Sequence, residues 1–179
     1  RFDSLEKLKA NNYEWQQIFI NKPTVDMAAD ATTVDASKGF WQITAANTGA
    51  KAITDIAGSS AWFERGFVTY SNEAKAQMIG VREETLAQHG AVSEPVVVEM
   101  AIGALKAARA HFAVSISGIA GPDGGSEEKP VGTVWFAFAS ASGEGITRRE
   151  CFSGDRDAVR RQATAYALQT LWQQFLQNT

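Results

Sequence analysis

The stretch that most constrains this fold is residues 113–138, AVSISGIAGPDGGSEEKPVGTVWFAF. It opens with an alternation, Ala113-Val114-Ser115-Ile116-Ser117, whose period of two suits a buried strand. A second strand-like run, Val131 to Ala139, is rich in Val, Trp and Phe. Two neighbouring strands can be joined by a turn of a few residues, yet this connection spends about a dozen, and such long loops are functional or disordered. Four glycines fall between Gly118 and Gly125. Glycine lets backbone N–H groups approach a ligand closely, so the loop is suited to cradle an anion or an oxyanion. The plainer reading, a mobile surface loop, stands beside it.

The rest of the chain alternates helices with strands. Residues 3–20 carry Leu5, Leu8, Tyr13, Trp15, Ile18 and Phe19 and read as a helix, and residues 21–39 as loop. Phe40 to Thr44 is strand-like, and a helix is expected from the turn at Thr44–Gly49 to about Ile56. Phe67 to Tyr70 reads as a short strand, and Asn72 as the cap of a helix running to Ile79. A short helix around Thr85–Gln88 ends at Gly90. Ser93-Glu94-Pro95 starts a helix from Val96 to Ala110, where Ala101, Gly103, Ala104, Ala107 and Ala108 permit close packing. Gly145 to Phe152 suits a further strand. Arg156 to about Gln177 suits a last helix, with Val159, Ala163, Tyr166, Ala167, Thr170, Leu171 and Phe175 on one face. This order predicts an α/β fold, a layered domain with a mixed sheet.

A chain of 179 residues with a net charge of −3 offers no general attraction for nucleic acid or an anionic membrane. No apolar run approaches a membrane span. The single cysteine, Cys151, excludes an internal disulfide and fits a reducing cytoplasm, and no signal peptide is legible. His89 and His111 have no metal-ligand spacing with each other or with Cys151, so no metal or other cofactor is expected.

Chemistry can sit at three places. In Tyr70-Ser71-Asn72-Glu73-Ala74-Lys75, the turn can bring Tyr70 and Lys75 to one pocket, where a desolvated lysine can act as a general base for a hydroxyl nucleophile. The plainer reading is a solvated lysine and an edge tyrosine. The glycine loop is the second place. The third is Gly154-Asp155-Arg156 with Arg160, two arginines four residues apart at a helix start, suited to a phosphate. Its plainer reading is a surface ion pair with Asp155 or Asp157. Asp123, Glu127 and Glu128 lie on an exposed-looking loop and do not form the acidic cluster a magnesium-dependent phosphohydrolase needs.

Residues 50–179 resemble the C-terminal domain of the competence/damage-inducible protein A family, and within it the stand-alone bacterial nicotinamide mononucleotide deamidases. The resemblance is carried by Ile53-Thr54 with Gly58-Ser59-Ser60, Tyr70-Ser71-Asn72 with Lys75, and Gly90-Ala91-Val92-Ser93. It continues through Gly118-Ile119-Ala120-Gly121-Pro122 with Gly124-Gly125, Lys129-Pro130-Val131-Gly132 and Gly154-Asp155-Arg156. It implies one domain over residues 1–179, an α/β/α sandwich, homodimeric and cytoplasmic. The implied reaction is metal-independent hydrolysis of the carboxamide of nicotinamide mononucleotide to nicotinic acid mononucleotide and ammonia. A lysine-activated serine is the implied nucleophile. Lys75 matches the lysine and Tyr70 a supporting tyrosine, while Asn72, Ser117, Gly118, Gly121, Gly124, Gly125 and Arg156 fall on substrate-binding positions. Residues 1–49 are atypical. The family motif Ala-Glu-Ser-Cys-Thr-Gly-Gly is missing from the stretch before Ile53: its serine falls on Ile43 without a gap and on Asn47 with one. Thr48 and Thr44 are the nearest hydroxyls, and Thr48 is the candidate nucleophile. A nucleotide-binding module that has lost its nucleophile is the rival reading.

Overall fold

The structure, a computed structural model, describes residues 41–44 and 48–176. The helix expected at 3–20 and the loop at 21–39 lie outside the described residues. Five strands, β1 (Trp41–Thr44), β2 (Phe63–Gly66), β3 (Phe112–Gly118), β4 (Thr133–Ser140) and β5 (Gly145–Cys151), form one sheet in the order β2-β1-β3-β4-β5. β1 runs parallel to β2 and β3, whereas β3–β4 and β4–β5 are antiparallel, so the sheet is mixed as expected.

Side-chain alternation on β3 and β4 divides the core between the two faces. Val114 with Val134, Phe136 and Phe138 points to one face, where α1 (Thr48–Thr54) supplies Ala52 and Ile53. The same face receives Val159, Ala163 and Leu171 from α5 (Arg156–Leu171). Ala113 and Ala137 point to the other, under α4 (Glu94–Ala108) with Val96, Val97, Met100 and Ala101. Val134, Phe136 and Phe138 of β4 therefore serve one face, while Ala137 and Ala139 serve the other beside the partly buried Trp135. Each fully buried Val, Phe or Met contributes roughly 1.5–3 kcal/mol relative to exposure. Helices on both faces make three layers.

The connections position the site. β1 passes to β2 through α1 on one face. β2 passes to β3 through α2 (Asn72–Ile79), α3 (Glu83–His89) and α4, on the other. The β1-to-β2 and β2-to-β3 connections thus lie on opposite faces of the sheet and end on opposite sides of β1, and such a switch opens a crevice beyond the carboxyl ends of the strands. Thr44, the last residue of β1, pairs with Ser115 in parallel register, so β1 ends at the same sheet end as Ser117 and Gly118.

Local differences from the sequence reading have physical causes. The short strand lies at Phe63–Gly66, not at Phe67–Tyr70, because the carbonyls of Thr69 and Tyr70 are taken by the Lys75 ammonium rather than by a ladder. Asn72 is the first residue of α2; Ser71 is its cap, its Oγ accepting from the Ala74 N–H at 3.0 Å. Ser93 stands at the cap position of α4, but its hydroxyl donates backward to Gly90 O. α4 and α5 end at Ala108 and Leu171, and a turn of π-helix, Trp172–Leu176, follows α5.

Candidate functional site

Lys75 lies one turn into α2, whose start is fixed by the Ser71 cap and by Glu73 in the first turn. It is 6% exposed. Its Nζ donates to Thr69 O at 2.8 Å and to Tyr70 O at 3.4 Å, and among the described residues no carboxylate pairs with it. Burial without a compensating anion pulls its pKa below the ordinary lysine value. A lysine so placed reaches its neutral, proton-accepting form at lower pH than a surface lysine does.

Residues 119–132 form a loop closed at its neck, where Ile119 N–H donates to Thr133 O at 2.9 Å and Gly132 N–H to Ile119 O at 2.8 Å. Two cations tie down its body. Lys129 Nζ donates to His89 O at the end of α3, and Arg156 Nη1 donates to Gly121 O, both at 3.0 Å. A loop held this way is not the untethered surface segment of the plainer reading. Gly118 is demanded by packing: a Cβ there would stand 2.7 Å from Val134 Cγ2. Gly124 is demanded by its backbone, φ +91°, where a side chain is strained although space is open. Asp155 caps α5 through Ala158 N–H at 2.8 Å, setting Arg156 in its first turn.

These elements enclose a cavity of about 490 Å³ at the switch point, within the usual range for small-molecule sites. Tyr70, Lys75, Ser117, Gly118, Gly121, Gly124 and Arg156 all line it. Tyr70 is 86% exposed, so it stands at the mouth rather than inside. Ser117 Oγ donates to Ala91 O at 2.7 Å and can still accept a hydrogen bond. Asn72 and Gly125 are exposed and do not line the cavity. Thr48 is the first residue of α1, and its side chain lies outside the described residues. The sequence reading paired Arg160 with Arg156 for a phosphate, and both line the cavity; it did not assign Asp123, Thr69 or Thr164, which line it too. The helical spacing of Arg156, Arg160, Ala163 and Thr164 held a usable signal; the role of the Thr69 carbonyl, a backbone atom, left none.

A second cavity of about 720 Å³ lies between α4 and β4–β5, lined largely by apolar groups and remote from Lys75. Of these two cavities, the one at Lys75 gathers a desolvated amine, hydroxyls and guanidinium groups, and it is the candidate site. Among the described residues, no group of three or more His, Cys, Asp or Glu side chains is placed to hold a metal ion. Also among them, no helix is long and apolar enough to cross a membrane.

Together the mixed-sheet α/β/α fold and a lysine-bearing cavity at its switch point define the class, and comparison with known proteins gives it a name. The family profile described as the CinA C-terminal domain matches residues 43–175, and the chain belongs to that family. The nicotinamide-nucleotide amidohydrolase PncC of Escherichia coli (strain K12) is 86% identical over 151 residues, 84% of this chain and 87% of its own length. PncC of Enterobacter agglomerans is 63% identical over 146 residues, 79% of this chain and 89% of its own. Among solved structures, the competence/damage inducible protein CihA from Agrobacterium tumefaciens superposes with a TM-score of 0.74 at 42% identity, covering 80% of this chain and 90% of that one.

Proposed function

We propose that this chain is an amidohydrolase converting nicotinamide mononucleotide to nicotinic acid mononucleotide and ammonia. The observation that carries this reading is Lys75, a buried amine with no carboxylate partner among the described residues, in a cavity of nucleotide-compatible size, in a chain 86% identical to a nicotinamide-nucleotide amidohydrolase. Neutral Lys75 Nζ takes the proton of an attacking hydroxyl as its oxygen adds to the carboxamide carbon. Collapse breaks the C–N bond and expels ammonia, which carries that proton away. Water then cleaves the resulting ester, and its proton returns through Lys75 to the hydroxyl. Thr48 is proposed as the nucleophile, because it begins α1 just beyond the β1–α1 connection, at the cavity end of the sheet. Tyr70 is proposed to cover the bound ring at the mouth. Arg156 and Arg160 are proposed to receive the phosphate, and Ser117, Gly118, Gly121 and Gly124 to hold the nucleotide; Asn72 and Gly125, which face solvent, are given no part in it.

The pyridine nucleotide is the one small-molecule partner proposed. Residues 1–179 are taken as one deamidase-like domain, cytoplasmic and homodimeric, as the family resemblance implies; a lone exposed Cys151 suits a reducing compartment. The absence of serine from residues 41–50 favours a second reading, a nucleotide-binding module of the same fold without turnover. Calorimetry with nicotinamide mononucleotide, run beside an ammonia assay, separates the two. Binding with ammonia release supports the amidohydrolase, binding alone the module, and no binding refutes both.

A further inference from the structure

The helix that carries Lys75 is held in place from behind by one side of α4. Glu99 and Gly103 stand one turn apart there; Gly103 meets the last residue of α2 and Glu99 the chain just after it. The Glu99 carboxylate accepts from the Arg82 backbone N–H and Nε at 2.8 Å each, from Arg82 Nη2 at 2.5 Å and from Thr85 Oγ1 at 2.8 Å. Four donors from two residues of the 82–85 segment on one carboxylate, 18% exposed, form an anchor rather than a loose surface pair. Burial by itself would raise that carboxyl's pKa, but the Arg82 and Thr85 hydrogen bonds and the Arg82 charge outweigh it and hold it below the ordinary range. One turn on, a Cβ at Gly103 would stand 1.6 Å from Ile79 O and 2.7 Å from its carbonyl carbon, so the end of α2 rests directly on α4 backbone. The link to the site is short. Val81 N–H donates to Lys75 O at 3.1 Å, and Ile79 and Val81 are buried with Val96 and Met100.

We propose that Glu99 and Gly103 are positioning residues that together set how deeply Lys75 is seated in the cavity. Neither lines the cavity, so they act through α2 and not on a ligand. Gly103 sets the distance of approach, since any side chain would push the Ile79 carbonyl outward. Glu99 fixes the exit from α2 by holding Arg82 and Thr85. The charged groups sharing the cavity with Lys75 are Asp123, Arg156 and Arg160, and none of them lies on the elements that the clamp joins. The role as part of a catalytic site rests on Lys75 being the base. The seating itself does not, and it is measurable without turnover.

The test is acetylation of the full chain by acetic anhydride across pH 7 to 11, with Lys75 and exposed Lys106 quantified by peptide mass spectrometry. In wild type, the Lys75 midpoint should lie below that of Lys106. In Glu99→Ala and Gly103→Ala it should move toward that of Lys106 by about half a pH unit or more, a roughly threefold smaller amine fraction at any pH below both midpoints. Arg82→Ala removes only the two exposed guanidinium bonds. It should give a smaller shift in the same direction, and it decides the matter should both other variants fail to fold. Glu94→Ala, at the start of α4 and bonded to Thr147, should leave the midpoint unchanged. Folded clamp variants with a wild-type Lys75 midpoint would overturn the proposal, as would an Arg82→Ala midpoint equal to wild type when it alone folds. An equal shift in Glu94→Ala would overturn it too, by showing general loosening. Failure to hydrolyse nicotinamide mononucleotide would refute the functional reading and leave these midpoints standing.

Discussion

Replacing Lys75 by methionine separates its cost to the fold from its use in catalysis. Lys75 is buried, and the partners of its ammonium are two neutral carbonyls, Thr69 O at 2.8 Å and Tyr70 O at 3.4 Å. Desolvation therefore depresses its pKa in the folded state. The unfolded chain, with an ordinary lysine pKa near 10.4, then holds more proton than the folded chain in the window between the depressed value and about 10.4. Stability consequently rises with pH across that window, and this penalty is present in full below the folded pKa. One proton limits the slope to about 1.4 kcal/mol per pH unit. Methionine has similar reach and no charge, so Lys75→Met should be at least as stable as wild type at pH 7 and should lose the lysine's part of the slope. Turnover should nevertheless fall by ~10² to 10⁴, the usual loss on removing a positioned base. Urea unfolding at half-unit steps from pH 7 to 10.5, followed by circular dichroism, reads the first effect; ammonia release reads the second. A Lys75→Met protein that is less stable at pH 7 and keeps the wild-type pH slope would refute the argument that Lys75 is buried at a cost.

Gly124→Val forces a β-branched residue to φ +91° in the loop that lines the cavity. Calorimetry should show nicotinamide mononucleotide binding weaker by about tenfold or more, about 1.4 kcal/mol. Phe136 is fully buried and meets Tyr166, Phe152 and Phe138 at centroid distances of 4.9, 6.2 and 6.4 Å. Phe136→Ala should cost ~3–5 kcal/mol in urea unfolding. Hydrolysis should persist in excess EDTA, because the proposed base is an amine and the proposed steps use no metal; loss with EDTA and recovery with a divalent ion would refute that.

Legibility followed how local each signal was. β3 and β4 were readable because alternation along one strand reports its own two faces, and the sheet later used both. The start of α5 was readable because the Gly154-Asp155 signal is confined to a single turn. The edge strand was placed too late, at 67–70, because apolar composition there reflects the cavity wall; pairing with β1 selects 63–66 instead. The candidate site was legible in its charged and glycine members through family motifs, but Asn72 and Gly125 were carried along by motif adjacency and face solvent. The Lys75 ligands are main-chain carbonyls, and Gly103 meets a carbonyl 24 positions earlier in the chain. Backbone atoms carry no letter in a sequence, so such contacts appear only once the fold is built.

The central claim, hydrolysis of a pyridine nucleotide carboxamide by this chain, is tested most directly by incubating the purified protein with nicotinamide mononucleotide. Nicotinic acid mononucleotide is followed by chromatography and ammonia in the same samples. The account predicts the two products in a 1:1 ratio and their loss in folded Lys75→Ala. Tight binding of an unchanged nucleotide, or turnover that survives in Lys75→Ala, would contradict it.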